Sequence, residues 1–349
     1  MGPYREARLF VGPDTYMSIL ISRTPFRISF FGGGTDYPEW YLENGGAVLS
    51  TSIDKYCYLT CRYTPQFFAD TYRIVWSHIE NVSHISEILH PAVREGLSYM
   101  GFGDERGVEI HHHGDLPARA GMGSSSAFAN GLILALSALQ GETIDQKALF
   151  EKAIHLEREL LNENVGCQDQ VATACGGLNL IRFRPGGDIE VEPVGLSDQR
   201  SATLENRLML FFVGTRRFAS EIAGQVIANF DNRKEELRRL FAMVDDGVEI
   251  LRGDGSLDEF GALLDKTWQL KRALSGAVSN LAVDEIYEKA MANGALGGKL
   301  LGAGASGFML FYVPEENQEK IREVLTPVPE VPFRFESEGS VIISTTDDT

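Results

Sequence analysis

The segment Pro117-Ala118-Arg119-Ala120-Gly121-Met122-Gly123-Ser124-Ser125-Ser126-Ala127 is a run of small residues that leads directly into the largely apolar stretch 127–139. The composition predicts a loop followed by a helix. Gly121 and Gly123 supply backbone freedom, and the serines supply hydroxyls where the first N–H groups of a helix lack partners. Two roles suit that arrangement. The serines can cap the helix, the commoner use of an isolated Gly-x-Gly-Ser, or the loop can cradle a phosphate against its N–H groups and the positive helix end. Residues elsewhere must decide between them.

A chain of 349 residues exceeds what one hydrophobic core organises, so two domains or one large α/β unit are expected, and 44% apolar content can fill them. The formal charge of −17 excludes a broad nucleic-acid surface, because phosphate backbones need a clustered basic excess. Any phosphate site has to be assembled locally. Cys57, Cys61, Cys167 and Cys175 form neither a Cys-x-x-Cys pair nor a dense disulfide framework, which fits a reduced cytoplasm. Residues 1–18 read as a frayed extension without a signal-peptide core, Met17 being an alternative start, and no apolar run approaches the length of a membrane span. No nucleic-acid or membrane partner is therefore expected, and a homodimer stays open.

The pattern along the chain is α+β. Residues 19–31 read as a strand ending at Gly32-Gly33-Gly34, followed by strand-like pieces in 47–63 and 72–77, a helix in 85–100 and a strand in 108–113. Beyond the small-residue loop, helices are expected over 127–139 and 145–162. Pro185-Gly186-Gly187 is a turn between strands 177–183 and 189–193, and the domain boundary is placed there, giving domains 19–190 and 191–349. The second domain reads as strand 207–213, helices 218–229, 234–251, 258–275 and 283–292, then strand 308–313, helix 318–325 and strand 340–344.

Three strings mislead. Gly302-Ala303-Gly304-Ala305-Ser306-Gly307 fits the dinucleotide fingerprint, yet the pattern puts it after a helix and before a strand, the reverse of what that mechanism requires. Gly298-Lys299 resembles the end of a P-loop, but Leu300 stands where a metal-binding hydroxyl belongs. His111-His112-His113 lies on a strand, where neighbours point to opposite faces and cannot converge on one ion.

Taken together, three separated segments resemble the signatures of the GHMP small-molecule kinases, the superfamily of galactokinase, homoserine kinase and mevalonate kinase. Thr24-Pro25-Phe26-Arg27 with Gly32-Gly33-Gly34-Thr35-Asp36 is similar to the first, the small-residue loop to the second (Met122 replacing Leu), and Lys299 through Gly307 to the glycine-rich third, with Ser306 at a usual glycine. The resemblance implies a two-domain fold, with a ribosomal-protein-like N-terminal domain containing a left-handed βαβ crossover, a ferredoxin-like C-terminal domain, and the active site between them. It implies ATP and Mg2+ as cofactors. Gly121, Met122, Gly123, Ser124, Ser125 and Ser126 would bind the ATP phosphates, Ser125 and Glu157 would hold the metal, and Gly302, Ala303, Gly304, Ala305 and Ser306 would wall the cleft. Asp169, in Gly166-Cys167-Gln168-Asp169-Gln170, takes the position of the general base and Arg27 that of its basic partner.

For the acceptor, the resemblance places Gly33, Gly34, Thr35 and Asp36 at the sugar. Galactokinases carry Glu-His where this chain has Gly33 and Gly34, so the pocket has room for a larger or phosphorylated sugar. The string Arg23 through Pro38 resembles the form found in D-glycero-D-manno-heptose 7-phosphate kinases and related sugar kinases, which implies a sugar 1-kinase acting on a sugar phosphate. Arg216 and Arg217 are candidates for a second anion site, Lys55 and Arg62 weaker ones. A kinase for L-fucose or a galactose-like hexose, an NAD-dependent oxidoreductase built on 302–307, and a non-catalytic sugar-sensing relative are the alternatives.

Overall fold

A computed structural model describes residues 19–65, 68, 70–214, 219–276, 278–302, 304 and 306–344. The expected N-terminal extension, Arg216, Arg217, Ala303 and Ala305 lie outside them. The chain opens with β1 (Leu20–Phe31), α1 (Pro38–Asn44), the long β2 (Gly46–Tyr63), β3 (Tyr72–Val75) and β4 (Ile79–Val82), followed by α2 (Pro91–Tyr99) and β5 (Val108–Gly114). Next come α3 (Ser124–Leu139), α4 (Gln146–His155), α5 (Gln168–Cys175), β6 (Leu178–Phe183) and β7 (Ile189–Pro193). Among the described residues these seven strands join one sheet with the path β1-β2-β5-β3-β4, with the β6–β7 hairpin added on β2.

The remainder builds α6 (Asp198–Asn206), β8 (Leu208–Gly214), α7 (Ala219–Ala228), α8 (Lys234–Arg252), α9 (Asp258–Leu274) and α10 (Leu281–Ala292). It ends with β9 (Gly297–Leu300), β10 (Gly307–Tyr312), α11 (Gln318–Leu325), β11 (Phe335–Glu336) and β12 (Val341–Ser344). A second sheet, ordered β8-β10-β9, is lined by Leu210, Phe211, Phe308, Leu310 and Tyr312 in a core shared with the helices. The fold is a two-domain α+β arrangement, as the periodicity predicts.

Three sequence expectations change. The turn 185–187 is the tip of a hairpin inside the first sheet, so strand pairing runs past the expected 190/191 boundary to Pro193. The C-terminal strand does not belong to the second domain: β12 pairs with β1 and β11 with β2, carrying the chain's end back to the first sheet. The glycine-rich string follows a strand rather than a helix, because Gly297-Gly298-Lys299-Leu300 pairs with β10 despite its weak strand propensity. That context excludes the dinucleotide reading more firmly, since no helix follows the glycines.

The site depends on how closely α3 approaches the first sheet. The helix is buried over nearly its whole length, and a Cβ on Gly131 would stand 3.1 Å from Ser22 Oγ and 3.2 Å from Thr24 Oγ1, so glycine there lets the helix lie close on β1 without displacing those hydroxyls. β1 itself is irregular. Its pairing with β2 shifts register between Pro25 and Phe26 and again between Ser29 and Phe31, and these bulges flank Arg27. Bulges re-aim side chains, and this pair turns Arg27 toward the start of α3.

Candidate active site

Gly123, at φ 76, is the residue that starts α3, and the serines stand in the helix's first turn instead of capping it. The loop before it is wound tightly. Arg119 holds a left-handed backbone at φ 60, fixed by its N–H donating to Ser124 Oγ at 3.0 Å, and strain of this kind concentrates at functional sites. Met122 is fully buried; its carbonyl accepts from Arg27 N at 3.1 Å and its side chain packs in the core, so the side chain shapes the loop and only its backbone could meet a phosphate.

The glycine-rich string packs on this loop backbone to backbone. A Cβ on Gly302 would overlap Gly121 Cα, one on Gly121 would overlap Leu301 O, and one on Gly307 would overlap Ala120 O. Gly302 lines the cleft. A Cβ on Gly304, at φ 128, would instead collide with the Val278 backbone, and neither Gly304 nor Ser306 lines the cleft.

Between these loops, β1 and the N-terminus of α5 lies a cleft of about 350 Å³. Arg27, 3% exposed, donates through Nε to Asp169 Oδ1 at 2.7 Å and through Nη2 to Oδ2 at 2.6 Å, while Nη1 donates to Gly121 O at 2.6 Å. The fork fixes Asp169 in orientation and ties it to the phosphate-loop backbone. Asp169 lies in the first turn of α5, where the helix dipole favours a carboxylate, and it is 26% exposed, open to the cleft.

Asp36 is buried beside it. Its Oδ1 accepts from Gly34 N at 2.9 Å, its carbonyl accepts from Cys167 N at 2.9 Å, and burial pushes its carboxyl above the ordinary range. A Cβ on Gly166 would collide with the Asp36 carboxylate, so glycine there permits the approach. Thr35 departs from expectation. Fully buried, it donates from Oγ1 to Gly32 O at 2.8 Å and accepts from Ala47 N at 3.2 Å; it shapes the turn and stands off the cleft.

Glu157 sits in a π-helical turn, Leu156–Leu160, that follows α4. Such turns recur at functional sites because they push a side chain out of helical register. This carboxylate accepts from Ser125 Oγ, from Ser126 Oγ at 2.7 Å and from Gln170 Nε2 at 2.6 Å. Burial raises its pKa to about 6 in spite of those donors. Glu157 and the exposed Ser125 thus place hard oxygens together at the phosphate loop, the donor type magnesium prefers.

Two lysines complete the cleft, and sequence reasoning gave neither a role here. Lys299, from β9, crosses to the first sheet and donates from Nζ to Ser29 O at 2.8 Å and Phe30 O at 2.7 Å. Burial, then Lys271 and Arg27, hold its pKa well below the usual lysine range. Lys271, from the last turn of α9, donates to Gly302 O at 2.5 Å. Lys55 and Arg62 are committed to Asp54 and Glu109 away from the cleft, and His111 pairs with Glu109. Among the described residues no group of three His, Cys, Asp or Glu side chains is placed to hold a metal.

Comparison with known families decides what the cleft belongs to. The family description "GHMP kinases N terminal domain" matches residues 86–177, and "GHMP kinases C terminal" matches 248–331. The chain belongs to the GHMP kinases. It is similar to the D-glycero-alpha-D-manno-heptose 7-phosphate kinase of Campylobacter jejuni, 28% identical across 85% of this chain and 90% of that one. It also resembles the bifunctional fucokinase/GDP-fucose pyrophosphorylase of Arabidopsis thaliana, 26% identical over 85% of this chain but only 30% of that protein. A D-glycero-D-manno-heptose 1-phosphate kinase structure from Bacteroides thetaiotaomicron superposes with a TM-score of 0.75 at 21% identity, covering 94% of this chain and 100% of that chain. As a GHMP kinase the chain is a phosphotransferase with a hydroxyl as acceptor. No described helix is long and apolar enough to cross a membrane.

Proposed function

We propose that this GHMP kinase transfers the γ-phosphoryl group of ATP to the anomeric hydroxyl of D-glycero-D-manno-heptose 7-phosphate, giving the 1,7-bisphosphate and ADP. The ATP phosphates lie along Gly121 to Ser126, on the N–H groups that open α3. The acceptor oxygen bonds to the γ-phosphorus as the bond to the β–γ bridging oxygen breaks, and Asp169 takes the hydroxyl proton. Arg27 holds that carboxylate in line. A magnesium ion, when bound, neutralises the nucleotide's phosphate charge, and Ser125 with Glu157 are the protein oxygens suited to it.

The observation that carries the choice of sugar is Gly33. A Cβ there would stand 3.6 Å from Gln168 Nε2 and 3.9 Å from Ser29 Oγ, both on the cleft wall, so a longer side chain would extend into the acceptor's space. Gly34 carries less information, because its φ of 109 already demands glycine. The opened space suits a sugar longer than a hexose, in keeping with the Campylobacter relative. Arg216 and Arg217 are our candidates for holding the 7-phosphate.

A coupled ADP-release assay over heptose 7-phosphate, L-fucose and galactose tests the reading, with the heptose phosphate expected to give the highest kcat/KM. Highest turnover on L-fucose would replace it with the second reading, which the Arabidopsis relative favours.

A further inference from the structure

Arg27, Lys271 and Lys299 share the cleft with Asp36 and Asp169, and their pairings are unequal. Arg27 is committed to Asp169 and Gly121 O, and Lys299 to two carbonyls of β1. Lys271 has one carbonyl, Gly302 O, and among the described residues no carboxylate within ion-pair distance. An ammonium has three N–H donors, so two of its donors have no partner among the described residues.

Its position is informative. Gly302 lies with its backbone against Gly121, so the carbonyl that Lys271 holds and the carbonyl that Arg27 Nη1 holds belong to two peptides in contact. One cation reaches that crossing from β1 and the other from α9, and both line the same cleft as Asp169. The space between them is where a phosphate bound by the start of α3 meets a hydroxyl held at Asp169.

We propose that Lys271 is a catalytic residue whose ammonium binds the transferred phosphoryl group and stabilises its charge in the transition state. The step leaves Lys271's own protons in place. The new bond from acceptor oxygen to phosphorus forms, the bond to the bridging oxygen breaks with its electron pair going to ADP, the proton goes to Asp169, and Lys271 donates to an equatorial phosphoryl oxygen. Burial and the neighbouring Arg27 lower its pKa to about 8, while Asp36 and Asp169 pull the other way. Lys299, held to Ser29 O and Phe30 O, lines the same cleft. A cation kept among like charges without a carboxylate of its own is the arrangement an incoming anion completes. The proposal rests on the phosphotransferase reading but not on the identity of the sugar.

The test compares full-length wild type with Lys271→Met and Lys271→Arg, their folding checked by circular dichroism. With the best acceptor, Lys271→Met should lose roughly 10²-fold or more in kcat, the scale for removing one transition-state donor, with both KM values within about threefold. Lys271→Arg should recover part of that loss. Independently of any acceptor, calorimetric titration should show that wild type binds AMPPNP more tightly than ADP and that Lys271→Met loses this preference. A kcat within about threefold of wild type, or a defect confined to the KM of phosphorylated acceptors, overturns the proposal. If wild type turns over none of the sugars, the sugar assignment fails and the nucleotide titration still decides the role of Lys271.

Discussion

Replacing Glu157 by Gln separates what this carboxylate costs the fold from what it contributes to the cleft. The group is 1% exposed, and burial has moved its pKa from 4.5 to about 6 although three side chains donate to it. The native protein therefore holds this proton more tightly than the unfolded chain does. Between pH 4.5 and about 6 the native state binds more protons, so the contribution to stability falls as pH rises through that window and the full penalty is present above it. At about 1.36 kcal/mol per unit, the displacement amounts to roughly 2 kcal/mol. Glutamine has no charge to desolvate, and the serine hydroxyls can rotate to match its amide.

Urea or thermal melts in EDTA should then find Glu157→Gln about as stable as wild type near pH 4.5, and more stable by up to roughly 2 kcal/mol at pH 7.5. The same variant should turn over more slowly in magnesium ATP. A stability gap that is equal at the two pH values, or wild type the more stable at pH 7.5, would refute the reasoning.

Asp169→Asn should lower kcat by about 10²–10⁴-fold with little change in ATP affinity, the contribution expected of a general base, and full turnover would remove Asp169 from that role. Gly33→Glu should raise the acceptor KM at least about tenfold while leaving AMPPNP binding by calorimetry unchanged, if side-chain absence at this position makes the room. Gly121→Ala meets both a φ of 79 and the Leu301 carbonyl, so it should lose more than about 2 kcal/mol of stability. An unaltered melting temperature would mean the two loops can separate.

The parts of the site that could be read from the chain are those written in consecutive residues. Gly121 to Ser126 carry their geometry locally, in glycine freedom and a helix start. Asp169 and Arg27 were placed by the strings around them, and the structure brings the pair together. Lys271 stands in no such string, and the string that begins at Lys299 carries no role for the lysine itself. A lysine near the end of an amphipathic helix usually reaches solvent, and only tertiary packing brings Lys271 from α9 and Lys299 from β9 into the cleft. The strand 297–300 has no signal in the sequence for a related reason, because two glycines and a lysine gain strand form from partner β10 and not from propensity. Thr35 stands off the cleft because adjacency to Asp36 in sequence does not imply a shared face. Only Asp36 faces the cleft, while Thr35 closes the turn behind it.

The meeting of Gly121 with Gly302 has a genetic consequence. Where two side chains touch, an enlargement on one can be offset by trimming the other, and second-site suppressors arise that way. Here each partner is already at the minimum, so neither has anything left to remove. Selection for restored activity in a Gly121 or Gly302 mutant should return the original glycine, or changes that move one domain relative to the other, and never a compensating residue in the facing loop. Two stretches far apart in the chain are thereby inherited as a single unit.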